Sequence, residues 1–278
     1  MAQSEFVLRG VSTLVLWASV LSVLLTGWHP GYAIIIPVVG GIALWEFFGA
    51  LHHKGLRTFR KSASAGGVFY LLVSWWLLSD RDRAAYHPTF ELVCLLAFLL
   101  GVLSRQVFDR SQSTPVVTMG VTLLGMLYVP WLLNFVTRIA YHPRAEGHGH
   151  SLILYLLLVT KITDIGAYLT GRVFGKHKLL PEVSPKKTWE GFFGGLAFAV
   201  IASTLLVWAL PGQLGMLQRP WTPLLALALA VVSVVGDLAE SVVKRDTNVK
   251  DSGHIFPGIG GALDLVDSVL FTAPVLYL

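Results

Sequence analysis

Val116-Val-Thr-Met-Gly-Val-Thr-Leu-Leu-Gly-Met-Leu-Tyr-Val-Pro-Trp-Leu-Leu-Asn-Phe-Val136 runs for 21 residues without one charged side chain. About 20 apolar residues at about 1.5 Å each cross the roughly 30 Å of hydrocarbon in a bilayer. No water is available there for backbone groups, so a single run of this length must be a helix. Further apolar stretches predict helices at roughly 11–28, 31–51, 66–79, 89–104, 150–170, 191–210, 222–239 and 263–278. The expected fold is an all-α polytopic membrane protein of about nine transmembrane helices. About five lie in an N-terminal region, residues 1–150, and about four in a C-terminal region, 151–278. The composition agrees: of 278 residues, 54% are hydrophobic and 13% charged, and the mean hydropathy is +0.67. Soluble domains carry about 25% charged residues. A disordered chain, a disulfide scaffold and an ordinary soluble enzyme are excluded. The one cysteine, Cys94, allows no internal disulfide and no thiolate-rich metal site. Only Glu5 and Arg9 precede the first stretch and no A-x-A site follows it, so it reads as a span and not a cleaved leader.

The cations orient the chain. With the N-terminus inside, the inner segments 1–10, 52–65, 105–115, 171–190 and 240–262 hold 15 Lys and Arg. The outer loops hold five, Arg81, Arg83, Arg138, Arg144 and Arg219. This asymmetry predicts a cytoplasmic N-terminus.

Polar groups divide the two halves. Glu46 and Glu91 fall near span ends in the first half, where snorkelling or a helix-end position accounts for them. In the second half Lys161, Asp164, Asp237, Glu240, Asp264 and Asp267 lie in or at the edges of apolar helices. A charge at bilayer depth costs at least about 2.5–3.5 kcal/mol, so six together need partners, water or a metal. Lys161 and Asp164 are spaced to share a helix face, either as a packing pair or as part of a site. Lys186 and Lys187, with Ser184 and Thr188 beside them, precede the helix at 191–210. A helix start with nearby cations favours phosphate, and the same pattern also suits anionic headgroups.

The stretch 236–268 is richest. Asp237 ends one span, Glu240 and Ser241 lie a turn on, and Lys244 and Arg245 a turn further. After a Gly/Pro-rich turn at 257–261, Asp264 and Asp267 share one helix face. Carboxylates from two helix ends at the cytoplasmic interface form an oxygen-only cage suited to Mg²⁺ or Mn²⁺. With cations close by, this describes metal-assisted phosphoryl or nucleotidyl transfer. The chain has no G-x-x-x-x-G-K-[ST] loop and no H-E-x-x-H, and Gly258–Leu263 departs from G-x-G-x-x-G at its last position. His52–His53 and His148–His150 read as loop histidines. Nothing points to nucleic acid, since no base-stacking platform accompanies the cations.

Ser241-Val-Val-Lys-Arg-Asp-Thr-Asn-Val-Lys-Asp-Ser-Gly253, followed by Pro257-Gly-Ile-Gly-Gly-Ala-Leu-Asp-Leu-Val-Asp267, resembles the signature of the phosphatidate cytidylyltransferases, or CDP-diacylglycerol synthases. Asp164-Ile-Gly-Ala-Tyr168 and Ser184-Pro-Lys-Lys-Thr-Trp-Glu-Gly191 resemble the same family, in order, over roughly 160–275. The resemblance implies that phosphatidic acid takes the cytidylyl group of CTP, giving CDP-diacylglycerol and pyrophosphate, with Mg²⁺ and room for a second cation. It implies that Asp237, Asp264 and Asp267 hold metal. Lys244, Arg245 and Lys250 would clamp phosphates beside Asp251. Ser184, Lys187, Thr188 and Ser241 would touch substrate, and Lys161 and Asp164 would orient the site. Two positions depart from the signature: Ile259 stands where the family has histidine, and Leu265 where it has arginine. The loss removes a bidentate phosphate fork and a possible proton donor, for which His254 is a candidate substitute. The carboxylates and Lys244, Arg245, Lys250 and Asp251 remain, which favours the same reaction. The competing readings are a polyprenol kinase, an ether-lipid cytidylyltransferase and an ion-coupled transporter with Asp164, Asp237 and Asp264 along its path. Expected partners are CTP, phosphatidic acid and membrane lipid. A homodimer is expected from base rates, and a bacterial inner membrane from the family.

Overall fold

Helices account for nearly all of the computed structural model, which describes residues 17–109, 114–145, 147–217, 220–249, 252–253 and 260–278. Lys250, Asp251, His254, Ile259 and the start of the 11–28 stretch lie outside the described residues. In order come α1 (Trp17–Thr26), α2 (His29–His53), α3 (Arg60–Leu78), the single turn α4 (Arg81–Ala84) and α5 (His87–Phe108). Then α6 (Pro115–Met126) runs through a π-helical turn, Leu127–Trp131, into α7 (Leu132–Ala140). The second half holds α8 (Gly149–Phe174), strands β1 (Lys178–Leu180) and β2 (Ser184–Thr188), α9 (Trp189–Ala209), α10 (Thr222–Asp246) and α11 (Ala262–Tyr277).

Among the described residues, six helical segments are long and apolar enough to cross a membrane: α2, α5, α6 to α7, α8, α9 and α10. The chain is an integral, all-α membrane protein. The other three expected stretches are helical over most of their described residues. Of these, α1 covers 10 described residues, α3 opens on Arg60-Lys61, and α11 has 16 residues. Only 6% of the most apolar part of α5 is buried, and Leu92, Leu96, Leu100 and Leu103 all face outward. A leucine face of this kind is soluble in lipid, not in water.

Three local features depart from the sequence reading. Pro130 lacks a backbone N–H and sits inside the π turn, where one helical hydrogen bond is forfeited. Helix α10 continues to Asp246, past the expected end at 239. Its polar tail stays helical because Glu240 and Lys244 pair at i,i+4. The segment 178–188, for which the sequence predicts no helix or strand, is a short antiparallel hairpin pairing Lys178 with Thr188 and Leu180 with Ser184.

The chain packs as two compact units, Met1–Thr137 with Asp246–Val266, and Arg138–Arg245 with Asp267–Leu278. In the first, Ala43, Leu44, Phe47 and Phe48 of α2 form the apolar centre, and Phe47 meets Tyr128 edge-on at 5.7 Å. A polar network joins α3, α5 and α7 in the same unit. Trp131 Nε1 and Tyr70 Oη donate to Glu91 Oε1 at 2.8 and 3.1 Å. Asn134 Nδ2 donates to Tyr70 Oη at 2.9 Å and lies 3.4 Å from His87 Nε2. In the second unit α8 packs along α9. A Cβ at Gly191 would come within 2.7 Å of the Ala167 carbonyl oxygen, and one at Gly195 within 2.9 Å of that of Thr163. Two glycines four residues apart let the backbones touch, as helices in lipid often require.

Candidate active site

The site begins with a close approach. A Cβ at Gly236 would lie 2.7 Å from the Asp267 carbonyl oxygen and 3.1 Å from Ser268 Cα. Only hydrogen fits there, so α10 presses directly on α11. Asp237 and Glu240 share a face of α10, being three residues apart. The contact brings both beside Asp267. One carboxylate oxygen from each of Asp237, Glu240 and Asp267 lies within 4.8 Å of the others. Glu240 and Asp267 are buried, at 1% and 6% exposure.

Three like charges so close require counter-charge. Lys187 Nζ lies 2.8 Å from Asp237 Oδ2, and Lys244 Nζ lies 2.5 Å from Glu240 Oε2. Lys161, paired with Asp164 at 3.9 Å, also acts electrostatically on Asp267. Ser241 Oγ donates to Asp237 Oδ1 at 3.4 Å. Four carboxylates thus lie among three ammonium groups. An all-oxygen donor set of three converging carboxylates is of the kind that suits a hard divalent cation.

Beside this cluster opens a cavity of 320 Å³, lined among others by Asp164, Arg172, Lys186, Lys187, Thr188 and Asp237. The hairpin supplies Lys186 and Lys187, and α8 supplies Arg172. Thr188 ends β2 and caps α9, accepting a hydrogen bond from Gly191 N at 3.1 Å. Glu190, in the first turn of α9, accepts from Lys176 N at 3.1 Å and from His177 N at 3.2 Å, with its Oε1 also 2.6 Å from His177 Nδ1. That ties the entry of the hairpin to its exit. Arg245 Nε donates to Val183 O at 3.3 Å, joining the end of α10 to the hairpin turn.

The site residues named from sequence therefore separate. Asp164, Lys187, Thr188, Asp237, Ser241, Lys244 and Asp267 gather in the second unit at or beside the cavity and the carboxylates. Ser184 lies on β2, and Arg245 holds the hairpin. Glu240, to which sequence gave no role, is the third carboxylate. Its i,i+3 spacing from Asp237 was the available signal. Asp264 is described in the first unit, where its Oδ2 accepts from Ser252 N at 3.2 Å, Ser252 Oγ at 2.8 Å and Gly261 N at 2.7 Å. The departure Leu265 is half-buried on α11.

A family profile described as "Cytidylyltransferase family" matches residues 7–278, nearly the whole chain. The chain belongs to the cytidylyltransferase family. Relatives of this cytidylyltransferase carry a more specific name. It is 34% identical over 257 residues to the phosphatidate cytidylyltransferase of Bacillus subtilis, covering 88% of this chain and 87% of that one. The protein of the same name from Haemophilus influenzae is 31% identical over 279 residues, covering 96% and 95%. One from Brucella suis is 48% identical over 136 residues, about half of each chain.

Proposed function

We propose that this membrane protein is a phosphatidate cytidylyltransferase, a nucleotidyltransferase that makes CDP-diacylglycerol from CTP and phosphatidic acid for phospholipid biosynthesis. The observation that carries the reading is the carboxylate trio Asp237, Glu240 and Asp267, held beside a cation-lined cavity in a chain of this family. In the reaction an oxygen of the phosphatidate phosphate forms a bond to the α-phosphorus of CTP. The bond from that phosphorus to the bridging oxygen of the β-phosphate breaks, and pyrophosphate leaves.

The nucleophile is already ionised near neutral pH, since a phosphomonoester loses its second proton near pH 6. No side chain need remove a proton. The work is positioning and charge neutralisation. Asp237, Glu240 and Asp267 would hold Mg²⁺, which supplies Lewis-acid polarisation of the triphosphate. Lys186, Lys187 and Arg172 line the cavity and cancel phosphate charge, and Thr188 keeps a hydroxyl proton to donate to a phosphate oxygen. Lys244 balances Glu240, and Asp164 with Lys161 sets the charge on the neighbouring helix. Ser184, Ser241, Arg245 and Asp264 belong to the surrounding frame in this reading.

The cation distribution supports nine crossings of a bacterial inner membrane with the N-terminus in the cytoplasm. A cavity at the cytoplasmic interface would let CTP arrive from water while the lipid stays in its leaflet. Purified full-length protein, given CTP, Mg²⁺ and phosphatidic acid, should release pyrophosphate and form a CDP-lipid. CDP with a newly phosphorylated lipid would instead identify a kinase. Ion flux across liposomes without nucleotide use would identify a transporter.

A further inference from the structure

Glu46 is the least expected acidic group in the molecule. It lies two turns before the end of α2 among Ala43, Leu44, Phe47 and Phe48, all of them buried, and is itself 5% exposed. It is neither snorkelling nor at a helix end. Its Oε2 accepts a hydrogen bond from Leu263 N at 3.0 Å, 217 residues away in the chain. Leu263 is in the first turn of α11, where backbone N–H groups have no partner within the helix. A carboxylate is well placed there, because the helix dipole offsets part of the cost of burying its charge. Gly253 and Gly261, described just before α11, are fitted around the same side chain. The three atoms that a Cβ at Gly253 would first meet all belong to Glu46, and a Cβ at Gly261 would meet Glu46 Oε2 and Ser252 Oγ. From the other side Asp264 binds Ser252 and Gly261. Two carboxylates thus hold Ser252, Gly261 and Leu263, one of them supplied by α2.

We propose that Glu46 is a positioning residue for cytidylyl transfer: it fixes the start of α11, and with it the helix that carries Asp267 one turn further on. The inference rests on the function proposed above. It acts through backbone groups, so its loss should move kcat more than KM. In full-length protein in nanodiscs, Glu46→Ala should lower kcat per folded molecule roughly ten- to a hundredfold, as small misplacements of reacting groups do. KM for CTP should stay within about twofold, the pattern of an interaction realised in the transition state. Hydrogen exchange at amides 260–266 should quicken, and Glu46→Gln, which keeps an acceptor oxygen, should fall between Ala and wild type. Gly253→Ala alone should impair turnover, and Glu46→Ala/Gly253→Ala should be no worse than Glu46→Ala, because the obstructing side chain is gone.

Wild-type kcat with unchanged exchange in Glu46→Ala would overturn the inference. So would a loss that vanishes when rates are expressed per folded molecule, or losses of the two single variants that multiply. If Glu46→Ala does not fold, Glu46→Gln decides by the same kcat and exchange readings. Wild-type protein inactive toward CTP and phosphatidate would sink the reaction reading instead, and the exchange measurement would still test the contact.

Discussion

Two groups of polar side chains are sunk among the apolar helices, and they meet the cost of burial in opposite ways. In the first unit Glu91 is surrounded by neutral donors, and its Oε1 takes the Trp131 and Tyr70 protons while Asn134 extends the chain to His87. Each group uses its neighbour, and the network ties α3, α5 and α7 together. In the second unit Asp164, Asp237, Glu240 and Asp267 face Lys161, Lys187 and Lys244, and a cavity adjoins them. That arrangement sets clustered carboxylates beside cations, the chemistry the proposed reaction asks for. Neutral donors gathered on one carboxylate rigidify a fold, whereas several carboxylates gathered together invite a ligand.

The contrast breaks first at the carboxylates. Asp237→Asn or Asp267→Asn should lower turnover roughly a thousandfold, the scale of losing a main electrostatic stabiliser. Helix content and detergent melting should be retained, and turnover near wild type would remove that residue from the centre. Gly236→Ala should follow, at roughly a hundredfold, since a methyl group 2.7 Å from the Asp267 carbonyl must push the two helices apart. Val235→Ala on the exposed neighbouring position is its control, with little change expected in the same pyrophosphate assay.

Lys187→Ala should raise KM for CTP roughly tenfold, the worth of one charge-assisted hydrogen bond, and Lys187→Arg should recover part of it. Steady-state rates against CTP concentration read this directly. The smallest effect on turnover belongs to the other network. Glu91→Gln should leave turnover within about twofold while lowering stability in detergent by about 1–2 kcal/mol, because an amide accepts the same bonds less strongly. If Glu91→Gln abolished turnover, the division between a structural and a chemical network would fail.

Much of this was legible in the chain because hydropathy and charge act locally. An uninterrupted run such as 116–136 can only be a helix in lipid, and Lys187 and Thr188 announce themselves beside a helix start. What was not legible depends on distance. Nothing near Glu46 reveals that its partner is Leu263, so a helix-end reading was the natural one. Asp264 and Asp267 look alike in sequence, yet one carboxylate is engaged by Ser252 and Gly261 and the other joins Asp237. Glu240 was visible at i,i+3 from Asp237, but its grouping with Asp267 needs the packing of α10 on α11. The hairpin at 178–188 was hidden because its strands are too short for an alternating pattern to stand out.

Gly236 sets the terms on which this sequence can drift. Its neighbour Val235 looks outward and can be exchanged for other lipid-soluble side chains over evolutionary time. At 236 the replacement list is empty, because even the smallest addition collides with main chain, which cannot rotate out of the way. The strictest demand on heredity in this centre falls on a residue that has no chemistry of its own.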